Sequence, residues 1–264
     1  MAKLAKLSVG GKNETRIMGI INVSPESFFK NSINTTKLEI SKTVKKMESE
    51  GANIIDVGGM STAPYLKTII SEKKEEKRIS KAIKIIQNIT NIPISVDTCR
   101  SKIAQSALEL GVEIINDVSG LKFDKDMPKI IERFQPSLIV CAYSNKIVGN
   151  NHAVVTKKLL QESIMIAKKA KISRDNIVVD PAIGFFRKSG TGIPFTKISS
   201  SWVSRDLAVL QNLRFIKNKF PALDSVSNKS FIGEILQKDN PGDRLYGTMA
   251  VSYTHLTLPT ICSV

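Results

Sequence analysis

Polar residues that can take part in chemistry follow six short apolar segments of this chain. The segments cover residues 17–21, 53–55, 92–96, 112–115, 176–179 and 223–227, and they lead to Asn22, Asp56, Asp97, Asn116, Asp180 and Lys229. A strand that is buried on both faces is a nearly continuous apolar run. A barrel of parallel strands carries its reactive groups at the C-terminal strand ends. The series therefore predicts strands whose ends meet in one shared pocket.

Amphipathic segments alternate with these apolar runs. The patterns predict helices over residues 36–51, 71–88, 101–111, 127–134, 153–171 and 202–220, with a further strand over 137–141. Such alternation is typical of a parallel sheet with crossover helices. The repeat averages roughly 30–35 residues, close to one eighth of a (β/α) barrel, so we predict an α/β fold of the (β/α)8 TIM-barrel type. The alternative is a doubly wound open sheet, which we disfavour because no glycine-rich dinucleotide turn follows the first strand.

The formal net charge of +15 comes from lysines that are scattered along the predicted helices and interrupted by acidic residues. This pattern usually means a solvated basic surface, so we expect no nucleic-acid partner and keep nucleic-acid binding as an alternative. No apolar stretch is long enough to cross a membrane, and no apolar signal core follows residues 1–6, so we expect no membrane partner. The cysteines are too few and too far apart for a disulfide framework or a zinc site, which favours a cytoplasmic location. They are Cys99, Cys141 and Cys262.

The composition changes abruptly at Val251. Residues 251–264 contain no lysine and no acidic residue and are rich in Thr and Ser, similar to translated sequencing-adapter DNA. We therefore expect one barrel domain over residues 1–250 and a non-native tail over 251–264. In that case the eighth strand and helix are missing, and strand edges are exposed. The alternative is a native short strand near residues 254–258.

The polar groups at the predicted strand ends can recognise a planar heterocycle with amino, ring N–H and carbonyl edges. They are Asp97, Asn116, Asp180 and Lys229. Two buried carboxylates and a lysine are costly without a polar ligand or internal pairing. Asn22 and Thr62, with loop N–H groups, can hold an anion and its metal, and oxygen ligands suit Mg²⁺ beside a diphosphate.

Six sequence blocks resemble, in the same order, the signatures of the dihydropteroate synthase family. The blocks are residues 18–28, 56–62, 95–98, 114–120, 180–185 and 227–233. The resemblance covers roughly residues 16 to 250. Each block is weak by itself, but their order identifies the chain as a member of the pterin-binding barrel superfamily.

The resemblance implies an enzyme of folate biosynthesis that condenses a dihydropterin-methyl diphosphate with p-aminobenzoate and releases diphosphate. It also implies Mg²⁺ as cofactor and a homodimer. The implied substrate-binding residues are Asn22, Thr62, Asp97, Asn116, Asp180, Ser227, Lys229 and Ser230, with Asn22 also binding the metal. Asp97, Asp180 and Lys229 are the implied catalytic residues, since carboxylates can stabilise the cation-like methylene that remains when diphosphate departs. Loops over 24–29 and 62–65 would cover the site.

Several departures from the family pattern concern the reactive side of the pocket. Ala63 and Asn228 stand where the family has arginine, Ala182 stands where it has glycine, and the final Arg-x-His block is absent. Alanine and asparagine lack the guanidinium group with which arginine binds an anion in bidentate geometry. An alternative interpretation is therefore a synthase relative that uses another arylamine. A pterin-binding methyltransferase-type domain with a corrinoid partner is a further alternative. The segment 187–201 is longer than the common form, which predicts a mobile or functional loop.

Overall fold

Eight parallel strands close into a barrel in this computed structural model, which describes residues 2–25, 34–62, 64, 69–191, 194–256 and 260–263. In chain order the strands are β1 (Ala2–Leu4), β2 (Leu7–Val9), β3 (Arg16–Asn22), β4 (Ile54–Gly58), β5 (Ile94–Asp97), β6 (Ile114–Asp117), β7 (Ser137–Cys141), β8 (Ile177–Asp180), β9 (Phe186–Arg187), β10 (Thr196–Lys197), β11 (Ala222–Asp224) and β12 (Thr260–Ser263). The barrel order is β11-β12-β3-β4-β5-β6-β7-β8, and each neighbouring pair is parallel. The predicted TIM barrel is confirmed.

Helices connect the barrel strands. In chain order they are α1 (Lys37–Ser49), α2 (Glu72–Gln87), α3 (Ser101–Glu109), α4 (Met127–Phe134), α5 (His152–Lys169), α6 (Trp202–Gln211), α7 (Leu213–Lys217), α8 (Ser230–Leu236) and α9 (Leu245–Leu256). The hydroxyls of Thr36, Ser71 and Ser201 cap three of them by accepting hydrogen bonds from N–H groups of the first turn. None of the helices in the described ranges is long and apolar enough to span a membrane.

The single helix predicted over 202–220 is wrong, because the chain divides at Asn212 into α6 and α7. The Asn212 side-chain amide donates to the Ala208 carbonyl at 2.8 Å. A side chain that bonds to the backbone in this way competes with the regular helical pattern. The predicted seventh strand also ends earlier than expected, at Asp224, and Ser227 lies in the turn that follows.

The expectation that the eighth strand is missing is wrong for this structure. β12 lies between β11 and β3, and Cys262 is in register with Asp224 on one side and Ile17 on the other. α9 crosses the expected boundary at residue 250 and ends at Leu256, so a strand over 254–258 is wrong as well. An open barrel would leave two strand edges unpaired, and the β-branched pair Thr260–Ile261 suits the strand that closes it. The non-native origin of residues 251–264 stays a prediction.

A short antiparallel hairpin of β1 and β2 seals the N-terminal end of the barrel, and the sequence analysis did not predict it. Ala2, Leu4 and Val9 form one apolar cluster with interior residues of the barrel strands. The Ser137 hydroxyl, at the start of β7, accepts from the N–H of Ala5 at 3.0 Å and so fixes the hairpin turn. A ligand therefore has to enter at the opposite end, where the strands finish.

The long predicted loop after β8 contains a small parallel ladder. β9 pairs with β10, with Thr196 opposite Phe186. The Thr196 hydroxyl accepts from the N–H of Ser144 at 2.9 Å, which ties the ladder to the connection after β7. The N–H of Thr191 donates to the Pro64 carbonyl at 2.8 Å. Since β8 and β4 lie on opposite sides of the barrel, this bond crosses the mouth.

A buried carboxyl lies on the outer side of β11. Asp224 is 2% exposed, and its Oδ1 has no hydrogen-bond partner among the described residues. Because Leu223 belongs to the interior cluster, strand alternation turns Asp224 towards the surrounding helices. Burial, followed by the charge of the nearby Asp180, raises the pKa of Asp224 to about 7.

Truncation of Leu4 measures how much the hairpin seal contributes to stability. The side chain is 0% exposed, so we expect Leu4→Ala to lower the free energy of unfolding by about 2–5 kcal/mol through lost burial and the cavity left behind. Leu38→Ala is the matched control on the exposed face of α1, with an expected change below about 0.5 kcal/mol. Urea unfolding curves measure both variants, and equal effects would contradict a hairpin that packs against the barrel.

Replacement of Asp224 tests the buried carboxyl. Between its ordinary pKa of 3.8 and the folded value of about 7, folded Asp224 keeps a proton that the unfolded chain has lost, so its contribution to stability falls as pH rises through this range. We expect Asp224→Asn to raise the free energy of unfolding near pH 8 by up to about 4 kcal/mol, with little change near pH 4. Urea unfolding at a series of pH values measures this. The exposed Asp239→Asn is the control, and a stability gain that does not vary with pH contradicts the assignment.

Candidate active site

The barrel interior divides into an apolar layer and a polar layer, because inward-facing residues alternate along each strand. The apolar layer, next to the hairpin, contains Met18, Ile54, Ile114, Ile139, Val178 and Leu223. Two residues further along the same strands the interior becomes polar, with Asp56 on β4, Asn116 on β6 and Asp180 on β8. The polar layer therefore lies directly under the mouth.

One cavity at the C-terminal strand ends brings together all the predicted site residues. They are Asn22, Thr62, Asp97, Asn116, Asp180, Ser227, Lys229 and Ser230. Strand register explains part of this set, since Asn22 lies opposite Gly58. Gly58 in turn lies opposite Asp97, which lies opposite Asn116. The cavity is also lined by residues outside the predicted set, including Asp56, Met60, Phe185, Arg187 and Ser225.

Buried acceptor atoms line the wall formed by β4, β5 and β6. The amide nitrogen of Asn116 donates to Asp56 Oδ2 at 3.1 Å. The Oδ1 atoms of Asp56, Asp97 and Asn116 are buried and have no hydrogen-bond partner among the described residues. An unpaired buried acceptor costs free energy. This wall is therefore suited to a ligand that presents N–H donors.

The carboxyls of this wall are shifted towards their neutral forms. Burial, followed by the charge of Asp56, raises the pKa of Asp97 well above its usual value. Burial also raises the pKa of Asp56, and the hydrogen bond from Asn116 acts in the opposite direction. A ligand with N–H donors or positive charge would offset the cost of ionising these groups.

Asp180 and Lys229 form the other wall. Asp180 Oδ1 accepts from the N–H of Ala182 at 2.6 Å, and Oδ2 accepts from the Ser225 hydroxyl at 3.1 Å. Burial raises the pKa of Asp180 and lowers the pKa of Lys229, and the charge of each partner acts against the other's shift. Gly184, with φ of +86°, leaves room for the lysine, since a Cβ there would lie 3.1 Å from Lys229 Cδ.

A fully buried ion pair on α6 fixes the connection after β8. Arg205 Nη1 lies 2.9 Å from Asp206 Oδ1 and donates to the Ala182 carbonyl at 2.9 Å. Asp206 Oδ2 accepts from the N–H of Gly184 at 3.0 Å. Ala182 has a φ of +60°, a left-handed conformation that favours glycine. The pair therefore holds an alanine in a turn for which the family pattern has glycine.

A second buried pair anchors the connection between β4 and α2. Arg100 Nη1 lies 2.6 Å from Glu75 Oε2, and Glu75 Oε1 accepts from the Thr98 hydroxyl at 3.0 Å. Because Thr98 follows the last residue of β5, this pair joins α2 to the strand end that carries Asp97. Some predicted features lie outside the described residues: most of the covering loop over 24–29, half of the loop over 62–65, and Ala63.

Asn22 and Thr62 lie at the mouth beside a gap that a glycine keeps open. A Cβ on Gly58 would lie 3.2 Å from Asn22 Oδ1 and 3.9 Å from Asp97 Oδ2. Amide and carboxylate oxygens are ligands that Mg²⁺ takes together with phosphate oxygens and water. The described part of the chain contains no group of three or more His, Cys, Asp and Glu that could hold a metal by itself. The side-chain oxygens of Asn22 and Asp97 could supply part of a Mg²⁺ coordination shell, which other oxygen ligands would complete.

Arg187 is the functional candidate that the sequence analysis missed. Its side chain lines the cavity and is 7% exposed. The guanidinium donates to the Phe186 carbonyl at 2.8 Å and to the Ser230 hydroxyl, and its Cζ lies 4.1 Å from the centre of the Trp202 ring. In the sequence, Arg187 is only the first residue of the long loop predicted over 187–201. Its position two residues after the block that ends at Phe185 is the signal that could have identified it.

Known proteins are similar to this chain in sequence and in fold. Dihydropteroate synthases of Clostridium beijerinckii and Bacillus subtilis are 35% and 32% identical to this chain, over 90% of it and over 83% and 79% of their own lengths. The solved structure of dihydropteroate synthase from Clostridium difficile in the presence of pteroic acid is similar with a TM-score of 0.81 and 29% identity, over 97% of this chain and 93% of that one. The structure of the Coxiella burnetii enzyme in complex with pteroic acid gives a TM-score of 0.78 and 30% identity, over 95% and 87%. Residues 18–257 match the sequence pattern of the pterin-binding enzymes, and the chain belongs to that family.

Proposed function

We propose that the chain is a dihydropteroate synthase, a transferase that condenses a dihydropterin-methyl diphosphate with p-aminobenzoate. The observation that carries this proposal is the row of buried, unpaired acceptors on Asp56, Asp97 and Asn116. A pterin ring presents amino and ring N–H donors along one edge, and such donors would pair with these atoms. Relatives that bear this name, and relatives solved with pteroic acid, support the same substrates.

In the proposed reaction, the C–O bond to diphosphate breaks, a C–N bond to the arylamine forms, and the amine loses a proton to solvent. The pterin would be held by Asp97, Asn116, Asp180 and Lys229. Positive charge that develops on the methylene carbon is conjugated with the ring, and the nearby carboxylates of Asp97 and Asp180 would stabilise it in a site with little water. The charge of Lys229 would favour the ionised form of Asp180, and the bonds from Ala182 and Ser225 would orient it.

Asn22 is the proposed protein ligand of Mg²⁺, and Thr62 is the proposed contact of the diphosphate. The gap that Gly58 leaves beside Asn22 supports this assignment. Mg²⁺ supplies charge neutralisation to a departing diphosphate when it is bound. Ser227 and Ser230 extend the proposed substrate-binding set on the β11 side of the cavity. We also propose a cytoplasmic location, which the free thiols of Cys99 and Cys141 support.

An assay of the purified chain tests the proposed reaction. We expect release of diphosphate that depends on p-aminobenzoate, together with formation of dihydropteroate. Asp97→Asn keeps the shape of the side chain and removes its charge, so we expect kcat/KM to fall by about 100-fold, the size of a lost transition-state contact. Asp239→Asn, at an exposed position, is the control and should leave kcat/KM unchanged.

Other results of this assay would point elsewhere. Methyl transfer from a methyltetrahydropterin to a corrinoid, without diphosphate release, would favour the methyltransferase-type alternative. Diphosphate release with a different arylamine, but not with p-aminobenzoate, would favour a relative of altered specificity. Activity of the Asp97→Asn variant equal to that of the wild type would contradict the assigned role of this carboxylate.

We propose that the protein forms a homodimer through the apolar surface of α8 and α9. Tyr246 and Met249 lie one helical turn apart on α9 and are strongly exposed. Ile235 and Leu236 on α8 extend this surface and are also exposed. Contiguous apolar patches of this kind are typical of protein interaction sites, and a two-fold dimer buries the same patch of both copies.

Sedimentation analysis tests the dimer. We expect the mass of two chains for the wild type and of one chain for Met249→Glu, because a charge at the centre of an apolar interface is costly to bury. Leu38→Glu, on the exposed face of α1, is the matched control and should remain dimeric. A monomeric wild type at micromolar concentration would contradict the proposal.

A further inference from the structure

We infer that Arg187 binds the carboxylate of the arylamine and thereby selects an anionic arylamine as second substrate; this inference rests on the proposed function. The family pattern places an arginine in the connection after β11, but Asn228 stands there in this chain. Asparagine cannot form the two parallel hydrogen bonds that a guanidinium forms with a carboxylate. Arg187 supplies a guanidinium to the same cavity from the connection after β8.

The Arg187 side chain is held in place before any ligand binds. Its guanidinium stacks over the Trp202 ring, with 4.1 Å between Cζ and the ring centre. It also donates to the Phe186 carbonyl and to the hydroxyl of Ser230, a residue of the predicted substrate-binding set. An arginine that is already ordered loses less conformational entropy when it binds an anion.

The cations that line the described part of the cavity differ in their surroundings. They are Arg187 and Lys229. Lys229 faces the carboxylates of Asp180 and Asp206, which both raise its pKa against the effect of burial. Lys229 lies with Asp180 in the pterin wall, whereas Arg187 is on β9 beside Ser230 and shares with Lys229 the electrostatic interaction with Asp206. A planar guanidinium is also the better match to a carboxylate, which it can bind in bidentate geometry.

The barrel topology separates the two anionic groups of the substrates. The proposed diphosphate contacts, Asn22 and Thr62, follow β3 and β4, whereas Arg187 follows β8, opposite β4 in the closed barrel. The arylamine forms its C–N bond at the methylene carbon after the diphosphate has begun to leave, so its carboxylate needs a binding site separate from the diphosphate contacts. The arylamine therefore comes from the β8–β11 side. There the Phe185 ring lines the cavity, with Lys229 Nζ 4.9 Å from its centre.

Equilibrium binding of two matched ligands tests this role. Pteroic acid carries the arylamine carboxylate, and pteroic acid carboxamide replaces it with a neutral group of similar shape. We expect wild type to bind the acid about tenfold or more tightly than the carboxamide, the size of one charge-assisted hydrogen-bonded pair. Arg187→Met should lose this preference while it keeps its affinity for the carboxamide. Calorimetry measures the four dissociation constants.

Two further variants complete the test. Arg187→Lys keeps the charge without the fork and should retain part of the preference, and it replaces Arg187→Met if that variant does not fold. Arg174→Met is the matched control, because Arg174 also stacks on an aromatic ring, Phe220, but precedes β8 at the sealed end of the barrel. It should bind like the wild type.

The ratio of the dissociation constants for the carboxamide and the acid decides the outcome. If this ratio in Arg187→Met equals that of the wild type, the inference is overturned. The same holds for Arg187→Lys where that variant replaces Arg187→Met. A wild type that binds both ligands equally or binds neither also overturns the inference. A wild type that prefers the acid through Arg187 but forms no dihydropteroate in the synthase assay would instead overturn the proposed function, and only the contact between Arg187 and the carboxylate would stand.

Discussion

The alternation of inward-facing side chains along parallel strands is the constraint on which the rest of this structure depends. It places an apolar layer against the N-terminal hairpin and a polar layer under the mouth. Because the hairpin closes one end, the carboxyls of Asp56 and Asp97 are removed from water, and burial raises the pKa of both. Burial of these groups without hydrogen-bond partners is unfavourable in the ligand-free protein. A ligand that supplies N–H donors removes part of this cost when it binds, which strengthens its binding.

Buried ion pairs position the connections that carry the site. Arg205 and Asp206 hold the turn after β8, and Glu75 with Arg100 holds the connection after β4 to the end of β5. Removal of one partner from such a pair leaves an uncompensated buried charge, so the pairs tolerate little change even where their net contribution to stability is small. Their main effect here is geometric, since Arg205 and Asp206 bind backbone groups between Asp180 and Phe185, and Glu75 accepts from the Thr98 hydroxyl next to Asp97.

The departures from the family pattern occur at positions where the backbone can accept them. Ala182 takes a left-handed conformation that Arg205 supports. Asn228, with φ of +52°, is of a residue type that enters the left-handed region more readily than most, and the Arg244 guanidinium donates to its carbonyl at 3.0 Å. The fold therefore survives the loss of a glycine and an arginine. The net charge of +15 still favours the approach of anionic substrates.

Local sequence patterns determined the fold class, most helix boundaries and the predicted residues that line the cavity, because apolar periodicity and capping residues act over a few neighbouring positions. Only the tertiary structure decided which strands become neighbours, and with them the row from Asn22 to Asn116, the hairpin seal and the closure by β12. It also decided that Arg187 faces the cavity beside Ser230. These features depend on strand register and on contacts between distant segments, and the periodicity of a single segment contains no information about its partner.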